Sequence, residues 1–390
     1  MVPHGLLCSA SAEYSSSGAV VTGVEMLAAT ELRSRGAGDV AAIPRGPLAP
    51  RFVRPTIAVP TVLVWLGSLV AWLGATAAVL CGVSRWWLAV TIVVQGLVTF
   101  SMFSVLHEAI HHTVGRPKWI NQIFGRLSMP FVSLFGTFPM LAYTHLAHHR
   151  NTNEGIHEDP DAWSLTGPRW QLPLRWLTID AWYCRFYLMR LRRRPRKEAV
   201  GFALYLTLAL AFVTTILILG YWRELVLIYF IPQRIGMVIL AWWFDWLPHH
   251  GLVPIKTNRF QVTRARVGWE RVLCLLLMYQ NYHVVHHLHT AIPFYLYVKA
   301  WRAAESEYLD RNVPISTAWG QDMTPSEYRR WRGVSSGIVE ADRGDRWVAV
   351  RPHLDAAGAP PPSSSRRRNG PPSACPGGAK SSFSHRLPRR

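Results

Sequence analysis

Charged side chains are missing from two long stretches of this sequence. Residues 55–84 and residues 86–106 contain no Asp, Glu, Lys or Arg, although 17% of the 390 residues are charged. An ordinary water-soluble enzyme is excluded, because its surface needs charged groups along most of the chain. Cysteine is scarce too, and an odd number of widely spaced residues with no CxxC pair excludes a disulfide scaffold. The five cysteines are Cys8, Cys81, Cys184, Cys274 and Cys375.

Acidic residues are also few. The 23 Asp and Glu against 42 Lys and Arg give a formal net charge of +19 at pH 7. Such a charge raises nucleic acid as a partner, but most basic residues lie outside the apolar runs. We therefore expect an anionic membrane surface as the partner, and no nucleic acid.

The apolar runs are long enough to cross a bilayer, which takes about 20 apolar residues. Residues 56–82, 86–106 and 199–222 meet this length, and only three residues separate the first two runs, which predicts a tight hairpin. A fourth run, 225–244, is interrupted by Arg234 and its neighbours. We expect this arginine to face the other helices, the alternative being that it snorkels from a broken helix.

The uncharged segment 127–143 is too short to span and is interrupted by Pro130 and Pro139. We interpret it as re-entrant or interfacial. Basic residues set the orientation of the spans. Seven lie between residues 185 and 197, whereas the outer loops offer only Arg85 and Arg223. Both termini and the central loop are therefore predicted on the cytoplasmic side of the cell membrane.

Four regions are predicted along the chain. Residues 1–50 are rich in Ser, Ala and Gly, and residues 356–390 in Pro, Ser, Gly and Arg, so neither can bury a core and both are expected to be disordered. Residues 51–310 form the membrane domain, and residues 311–355 form a peripheral cytoplasmic segment.

Histidine is the residue in excess: 13 of the 16 lie between His107 and His289. Eleven of them form the groups HEAIHH, HLAHH, DWLPHH and HVVHH, each at or beyond the end of an apolar run, whereas His157 and His289 lie outside this pattern. The predicted topology brings all four to the same membrane face. The fold class that results is an all-α integral membrane protein with about four transmembrane helices in two hairpins and a cytoplasmic helical cap that carries the histidine boxes.

The spacing within the groups suits metal binding. On a helix, residues i, i+3 and i+4 share a face, so HxxHH presents three imidazoles together. Neutral imidazole binds iron, zinc and copper. Nine or ten such ligands exceed the four of a tetrahedral zinc site and favour a dinuclear metal centre over unrelated histidines.

The three boxes HEAIHH, HLAHH and HVVHH resemble those of the integral-membrane fatty acid desaturase and hydroxylase superfamily. The resemblance covers roughly residues 55–300 and includes the box order and the two hairpins. Within the superfamily, HLAHHRNTNEGIHEDPD and NYHVVHHLHTAIPFY are most similar to bacterial acyl-lipid desaturases and β-carotene hydroxylases. The resemblance implies two non-haem irons and the use of dioxygen to attack an unactivated C–H bond.

The resemblance also implies the ligands. The first box carries both His111 and His112, so which of the two binds iron stays open. A further ligand is expected from DWLPHH, with His249 favoured over His250 because Asp245 precedes it by four residues. The candidate metal ligands are His107, His111, His112, His145, His148, His149, His249, His283, His286 and His287. Groups expected to orient them are Glu108, Asp159, Asp245 and Asn281.

The predicted function is that of a di-iron oxygenase that desaturates a fatty acyl chain of a lipid. The alternatives are a hydroxylase of a carotenoid or other apolar lipid, and a membrane electron carrier with haems held by pairs of histidines. A metal transporter is disfavoured, because only Arg234 is ionisable within the spans. No HPGG or CxxC motif of an electron-transfer domain occurs, so electrons are expected from a separate protein such as a ferredoxin with its reductase.

Overall fold

The computed structural model describes residue 52 and residues 54–336. The predicted disordered ends, 1–50 and 356–390, lie outside the described residues, as does 337–355 of the predicted peripheral segment. The four regions predicted along the chain stay predictions.

Four helices are long and apolar enough to cross a membrane, as the sequence predicted. They are α1 (Val59–Leu80), α2 (Arg85–Ile110), α8 (Arg196–Ile218) and α9 (Trp222–His249). The turn between α1 and α2 and the turn between α8 and α9 each contain a glycine in the left-handed conformation, Gly82 at φ 76° and Gly220 at φ 82°. Such glycines commonly end helices, because they lack the Cβ that would clash there. The protein is therefore an integral membrane protein with two hairpins; the side on which its cap lies stays a prediction.

Helix α2 is the central span. It packs against α1 and α9. Of the 18-residue apolar stretch in α2, 56% of the residues are buried, whereas the corresponding share in α1 and in α8 is 11%. Small residues let α2 and α9 approach closely: a Cβ on Gly236 would lie 2.3 Å from Cβ of Thr99. Such small residues are common where membrane helices meet. The outer faces of α1 and α8 are left to the lipid.

The segment predicted as re-entrant is a pair of helices, α3 (Lys118–Val132) and α4 (Phe138–Asn151). Helix α3 runs alongside α2, where Oγ1 of Thr99 donates to the Phe131 carbonyl at 3.1 Å. The chain then turns, and α4 returns to the level of the α2 C-terminus. Both ends of this hairpin therefore lie on the same side as the first histidine box.

Short elements build a cap beyond the spans. Before α8 these are α5 (Ala162–Leu165), α6 (Leu172–Leu177) and α7 (Ile179–Leu188), with 3-10 turns at Arg169–Gln171 and Leu191–Arg193. After α9 come β1 (Ala265–Val267), α10 (Glu270–Leu276), α11 (His283–Leu288), α12 (Tyr297–Ala303), α13 (Glu305–Asp310), β2 (Ile315–Thr317) and β3 (Asp322–Met323), with 3-10 turns at Gln280–Tyr282 and Phe294–Leu296. The last described helix, α14 (Pro325–Ser336), belongs from Ser326 on to a second compact unit.

A small sheet, not predicted from the sequence, ties the cap together. Strand β2 pairs in parallel with β1 and antiparallel with β3. Ala265 and Ile315, which face each other across the first pair, are both buried. The sheet anchors the segment that carries the third histidine box, since the amide of Asn281 donates to the Arg266 carbonyl at 3.3 Å.

Candidate metal centre

The first histidine box forms the last turn of α2. His107 and His111 lie one turn apart; α2 ends at Ile110, and His111 is its C-cap. The next residue, His112, has φ 57°, so the chain leaves the helix there. The same face of α2 therefore presents His107 and His111 but not His112.

The second box lies near the end of α4. This helix begins where Oγ1 of Thr137 accepts from the Met140 amide at 3.3 Å. His145, His148 and His149 follow on its last two turns and reach the first and third boxes from opposite sides. The HxxHH spacing thus presents His145 and His149 to one group of histidines and His148 to an adjacent group.

Five histidines from three segments form one group, with their ligand nitrogens within 4.8 Å of one another. The shortest Nε2–Nε2 distance is 2.8 Å, between His111 and His145, and His107 lies 2.9 Å from His286. The fifth, His149, is 2.9 Å from His286 and 3.0 Å from His145. The group consists of His107, His111, His145, His149 and His286.

Four histidines form a second group of the same compactness, comprising His148, His249, His283 and His287. The Nε2 atoms of His148 and His287 are 3.3 Å apart, and those of His287 and His283 are 3.1 Å apart. Nine of the ten candidate ligands are therefore brought together in two adjacent groups. His112 belongs to neither group, and its Nδ1 has no hydrogen-bond partner among the described residues.

Oxygen acceptors fix the tautomer of the second group. His249 Nδ1 lies 3.0 Å from the Val262 carbonyl, and His283 Nδ1 lies 2.6 Å from Oε1 of Gln280. His287 Nδ1 is 3.4 Å from Oγ1 of Thr152, a hydroxyl that donates its own proton to a backbone carbonyl. These oxygens can only accept here, so each Nδ1 carries the proton. Each Nε2 is left with a lone pair aimed at the centre.

His148 is oriented by two carboxylates. Its Nδ1 donates to Oδ1 of Asp159 at 2.9 Å and lies 3.2 Å from Oδ2 of Asp161. Burial lowers the pKa of His148, but Asp161 and Asp159 outweigh it and raise the pKa to about 9. The hydroxyl of Tyr183 donates to Oδ1 of Asp161 at 2.6 Å, and all four side chains of this network are buried.

Most of the other imidazoles stay neutral at physiological pH. Burial, followed by repulsion from neighbouring histidines, lowers the pKa of His145, His149 and His286 well below the ordinary value of 6.5. Burial also lowers the pKa of His111 to about 3. Neutral imidazole is the form that binds a metal, so these four ligands need not lose a proton first.

Four other candidate residues hold the site in different ways. Asp159 contacts His148 directly, as described above. Oε2 of Glu108 accepts from the Thr113 hydroxyl at 2.8 Å and from the Phe294 amide at 3.3 Å, which links the first box to the chain after the third. Asp245 accepts from the Ser164 hydroxyl at 3.2 Å rather than from His249, and Asn281 binds the backbone of β1.

Several residues that orient the ligands were not singled out from the sequence. Gln280, Thr152 and the Val262 carbonyl hold imidazoles of the second group, and the Tyr297 hydroxyl lies 2.9 Å from Nδ1 of His286. Only Gln280 left a signal in the sequence, since it precedes His283 by three residues. The others come from distant segments or from the backbone.

The donor set fits metal cations. His249 Nε2 is buried without a hydrogen-bond partner among the described residues. Burial and neighbouring imidazoles lower the pKa values of His283 and His287 well below 6.5, so no proton bridges their facing Nε2 lone pairs. A cation between such lone pairs turns repulsion into coordination. A haem does not fit, because the rings of His107 and His286, and of His149 and His287, have centroids only 4.3 and 4.4 Å apart.

A narrow apolar cavity lies one helical turn below the histidines. Phe103 and Leu141, four residues before His107 and His145, form the wall nearest the centre. Its other lining side chains are those of Met129, Val132, Ser133, Met140, Ile179, Asp180, Tyr183, Met237 and Leu240. About 10 Å³ is left free, roughly the space of one water molecule. A hydrocarbon chain could reach the centre here only by displacing side chains.

Four tryptophans of the membrane spans, Trp65, Trp72, Trp242 and Trp243, mostly pack against other rings. Trp65 meets Phe124 edge-on at 5.5 Å, and Trp243 meets Phe100 in the same way at 5.5 Å. Trp72 packs on Phe131, and Trp242 is 41% exposed on the outside of α9. None of the four lines the cavity below the histidines.

Comparison with known proteins places these features in context. The family model described as fatty acid desaturase matches residues 84–319. The chain is 24% identical over 277 residues to dihydrorhizobitoxine desaturase of Bradyrhizobium elkanii, covering 63% of this chain and 74% of that protein. It is 24% identical over 308 residues to sn-1 oleoyl-lipid 12-desaturase of Arthrospira platensis (68% and 79% covered) and 25% identical over 270 residues to that of Synechocystis sp. (59% and 72% covered).

Proposed function

The chain belongs to the fatty acid desaturase family, and from that membership we propose that it is a membrane-bound di-iron oxygenase. It uses dioxygen and electrons from a separate protein to desaturate a fatty acyl chain of a lipid. Relatives named as lipid desaturases at 24–25% identity support the reaction class. The observation that carries the proposal is the second histidine group, in which oxygen acceptors hold the Nδ1 atoms of His249, His283 and His287 and leave their Nε2 lone pairs facing the centre.

Nine histidines are proposed as the iron ligands. One iron would be held by His107, His111, His145, His149 and His286, and the other by His148, His249, His283 and His287. When bound, the two irons would activate dioxygen, the oxidant that removes hydrogen from an unactivated methylene and leaves as water. Five nitrogens on one side and four on the other are within the coordination number of iron and leave positions open at each centre.

The protein's own contribution is to position the ligands and keep the centre dry. Asp159, Gln280 and Thr152 hold imidazoles by their outer nitrogens, which fixes each ring before a metal binds. The rings of Phe103 and Phe244 pack against His107 and shield it from water. The cavity beneath then holds one carbon of the chain near the centre, and this positioning decides which bond is attacked.

Desaturation is proposed over hydroxylation because the similar proteins are named as desaturases. The alternative remains a hydroxylase of a carotenoid or other apolar lipid. The two reactions differ in product mass, since desaturation removes two hydrogens and hydroxylation adds one oxygen. Expression in a host that makes both carotenoids and ordinary acyl lipids, followed by mass spectrometry of both fractions, separates them.

The cofactor is tested on the purified protein. We expect about two non-haem irons per chain and no Soret band. A Soret band, or full activity after iron is replaced by zinc, would contradict the di-iron proposal. The variant His112→Ala is the matched control for the ligand variants, because His112 lies outside both groups, and it should keep its iron.

A further inference from the structure

A second apolar space lies on the outer face of α9. It is a groove of about 430 Å³, within the ordinary range for ligand pockets. Ile231, Ile235 and Val238 of α9 line one side and Leu177 of α6 lines the other. Arg234 is the only charged residue in its wall. Because α9 crosses the membrane, a ligand that fills this groove must already be in the bilayer.

One ion pair separates the groove from the cavity below the histidines. Arg234 lines the groove, Asp180 lines the cavity, and Nη1 of Arg234 lies 3.0 Å from Oδ1 of Asp180. The amide of Gln233 also donates to Oδ2 of Asp180, at 3.1 Å, and to the Val132 carbonyl at 2.8 Å. A single layer of side chains therefore stands between the lipid and the inner cavity.

The side chains that close the inner cavity can change their conformation. Met129, Met140 and Met237 line it, and unbranched methionine side chains adapt readily to a new neighbour. The pair is only partly buried, with 34% of the Arg234 side chain and 17% of the Asp180 side chain exposed. Moving Arg234 outward places its charge toward the membrane surface rather than in hydrocarbon.

The segment beside the groove has the features of a membrane interface. Trp170 is 78% exposed, Leu174 is 62% exposed and Trp242, on α9, is 41% exposed. Exposed tryptophan and leucine next to basic residues are typical of helices that lie at the lipid headgroups. The groove thus opens at the level where the acyl chains of one leaflet begin.

We propose that the acyl chain of a bilayer lipid enters the protein sideways through this groove and passes the Asp180–Arg234 pair to reach the cavity below His107 and His145. The pair acts as a latch between lipid and cavity. What happens to the chain there rests on the proposed function, but the route itself does not. The substrate class is then a lipid already in the membrane, not a thioester delivered from water.

Photo-crosslinking tests the route directly. The full chain in nanodiscs is irradiated with phosphatidylcholine that carries a diazirine in one acyl chain, and labelled peptides are identified. We expect label on residues 230–239 of α9 and on the cavity residues Met129 and Met140. Adding bulk with Ile231→Trp and Val238→Trp together should lower the cavity label about tenfold, because the groove is filled.

The matched control is Leu204→Trp with Leu208→Trp, two residues that are each 60% exposed on α8, away from the groove. It should label like the unmodified protein. Equal cavity labelling in the groove variant and the control would overturn the proposal. So would stronger cavity labelling by a diazirine acyl thioester added from water than by the phospholipid.

The latch has its own test. Asp180→Asn should raise the ratio of cavity to groove label and lower the KM for bilayer lipid, because the ion pair no longer closes the passage from the groove to the cavity. Glu198→Gln, which breaks the Arg194–Glu198 pair, is the control. A ratio that falls or stays constant in Asp180→Asn would contradict the latch, and Arg234→Gln repeats the test if that variant does not fold.

The two proposals fail in different ways. Labelling requires neither dioxygen nor an electron donor, so it can succeed in a protein with no oxygenase activity. Normal cavity labelling without any oxidised product would contradict the proposed function and leave the route intact. Oxidised lipid without groove labelling would contradict the route alone.

Discussion

At the scale of single residues, the site depends on the hydrogen bond behind each imidazole. Gln280, Thr152 and the Val262 carbonyl each hold the outer nitrogen of an imidazole, which leaves the inner lone pairs of those three rings facing the centre. A buried lone pair without a partner is costly, and a cation bound there would remove that cost. The proposed metal would then contribute to the protein's stability as well as to its chemistry.

Asp245 and His249 do not contact each other in the way that their spacing in the sequence predicts. The i, i+4 spacing predicted that they share a helix face. The structure instead forms a π-helix over Ala241–Trp246, in which hydrogen bonds run from i to i+5. Asp245 then turns to Ser164, and His249 turns to the Val262 carbonyl. A change of helix type leaves no mark in a pattern of residue types.

His249→Ala provides the residue-scale prediction. We expect iron to fall from about two to about one per chain and activity to be lost, because the second group then has three nitrogens. His250→Ala is the control, since His250 stacks on Trp246 at 4.4 Å and lies outside both groups. It should keep its iron and most of its activity. Iron analysis and turnover of both variants check the assignment, and a His249→Ala protein with full iron would refute it.

At the scale of elements, hydropathy predicted the four spans closely, because burial in lipid demands an uninterrupted apolar run. The re-entrant hairpin was harder. The uncharged segment 127–143 covers the turn and parts of both helices, but α3 begins earlier, at Lys118, and α4 continues through His149. Their polar ends are stabilised by contacts within the protein. A hydropathy profile of the sequence does not detect such contacts.

The basic segment between α7 and α8 supports a prediction about the electron donor. Arg192 and Arg193 in this segment, and Arg185 on α7 beside it, are exposed and form no ion pair with a described residue. We propose this surface as the docking site of an acidic donor such as a ferredoxin. Reversing charge with Arg192→Glu and Arg193→Glu should raise the KM for the donor about tenfold at low ionic strength, with the difference shrinking as salt rises.

Arg223→Glu is the matched control for the docking surface. Arg223 is exposed at the N-terminal end of α9, whereas His249 of the histidine site lies at the C-terminal end of that helix. The control variant should leave the KM for the donor unchanged. Donor titrations at two salt concentrations check both variants. A reversal at Arg192 and Arg193 that has no effect at either concentration would mean that the segment serves membrane orientation alone.

At the scale of the whole molecule, the centre is assembled from segments far apart in the chain. His107 and His286 are 179 positions apart, yet their Nε2 atoms lie 2.9 Å from each other. The sequence predicted this convergence, because every box follows an apolar run on the same side. It could not predict which oxygen holds each ring, since Val262 and Thr152 are brought to the site by loops without a pattern. Convergence follows from topology, whereas ligand orientation follows from packing.

Metal removal is the prediction that belongs to this scale, because nine ligands from four segments cross-link the cap through the metal. The chelated protein should unfold at a lower temperature than the iron-loaded protein.

The stability of the chelated protein should also fall as the pH drops below about 6.5. In the unfolded chain His111 titrates near 6.5, whereas burial lowers its pKa to about 3 in the fold, so protons bind the unfolded state preferentially. His148 has the opposite sign: burial lowers its pKa, but Asp161 and Asp159 raise it from 6.5 to about 9, so its contribution is complete below about pH 6.5 and is lost as the pH rises from there through about 9. Thermal unfolding of both forms between about pH 5 and pH 8 measures this, and equal stability of the two forms at every pH would show that the histidines hold no structural metal.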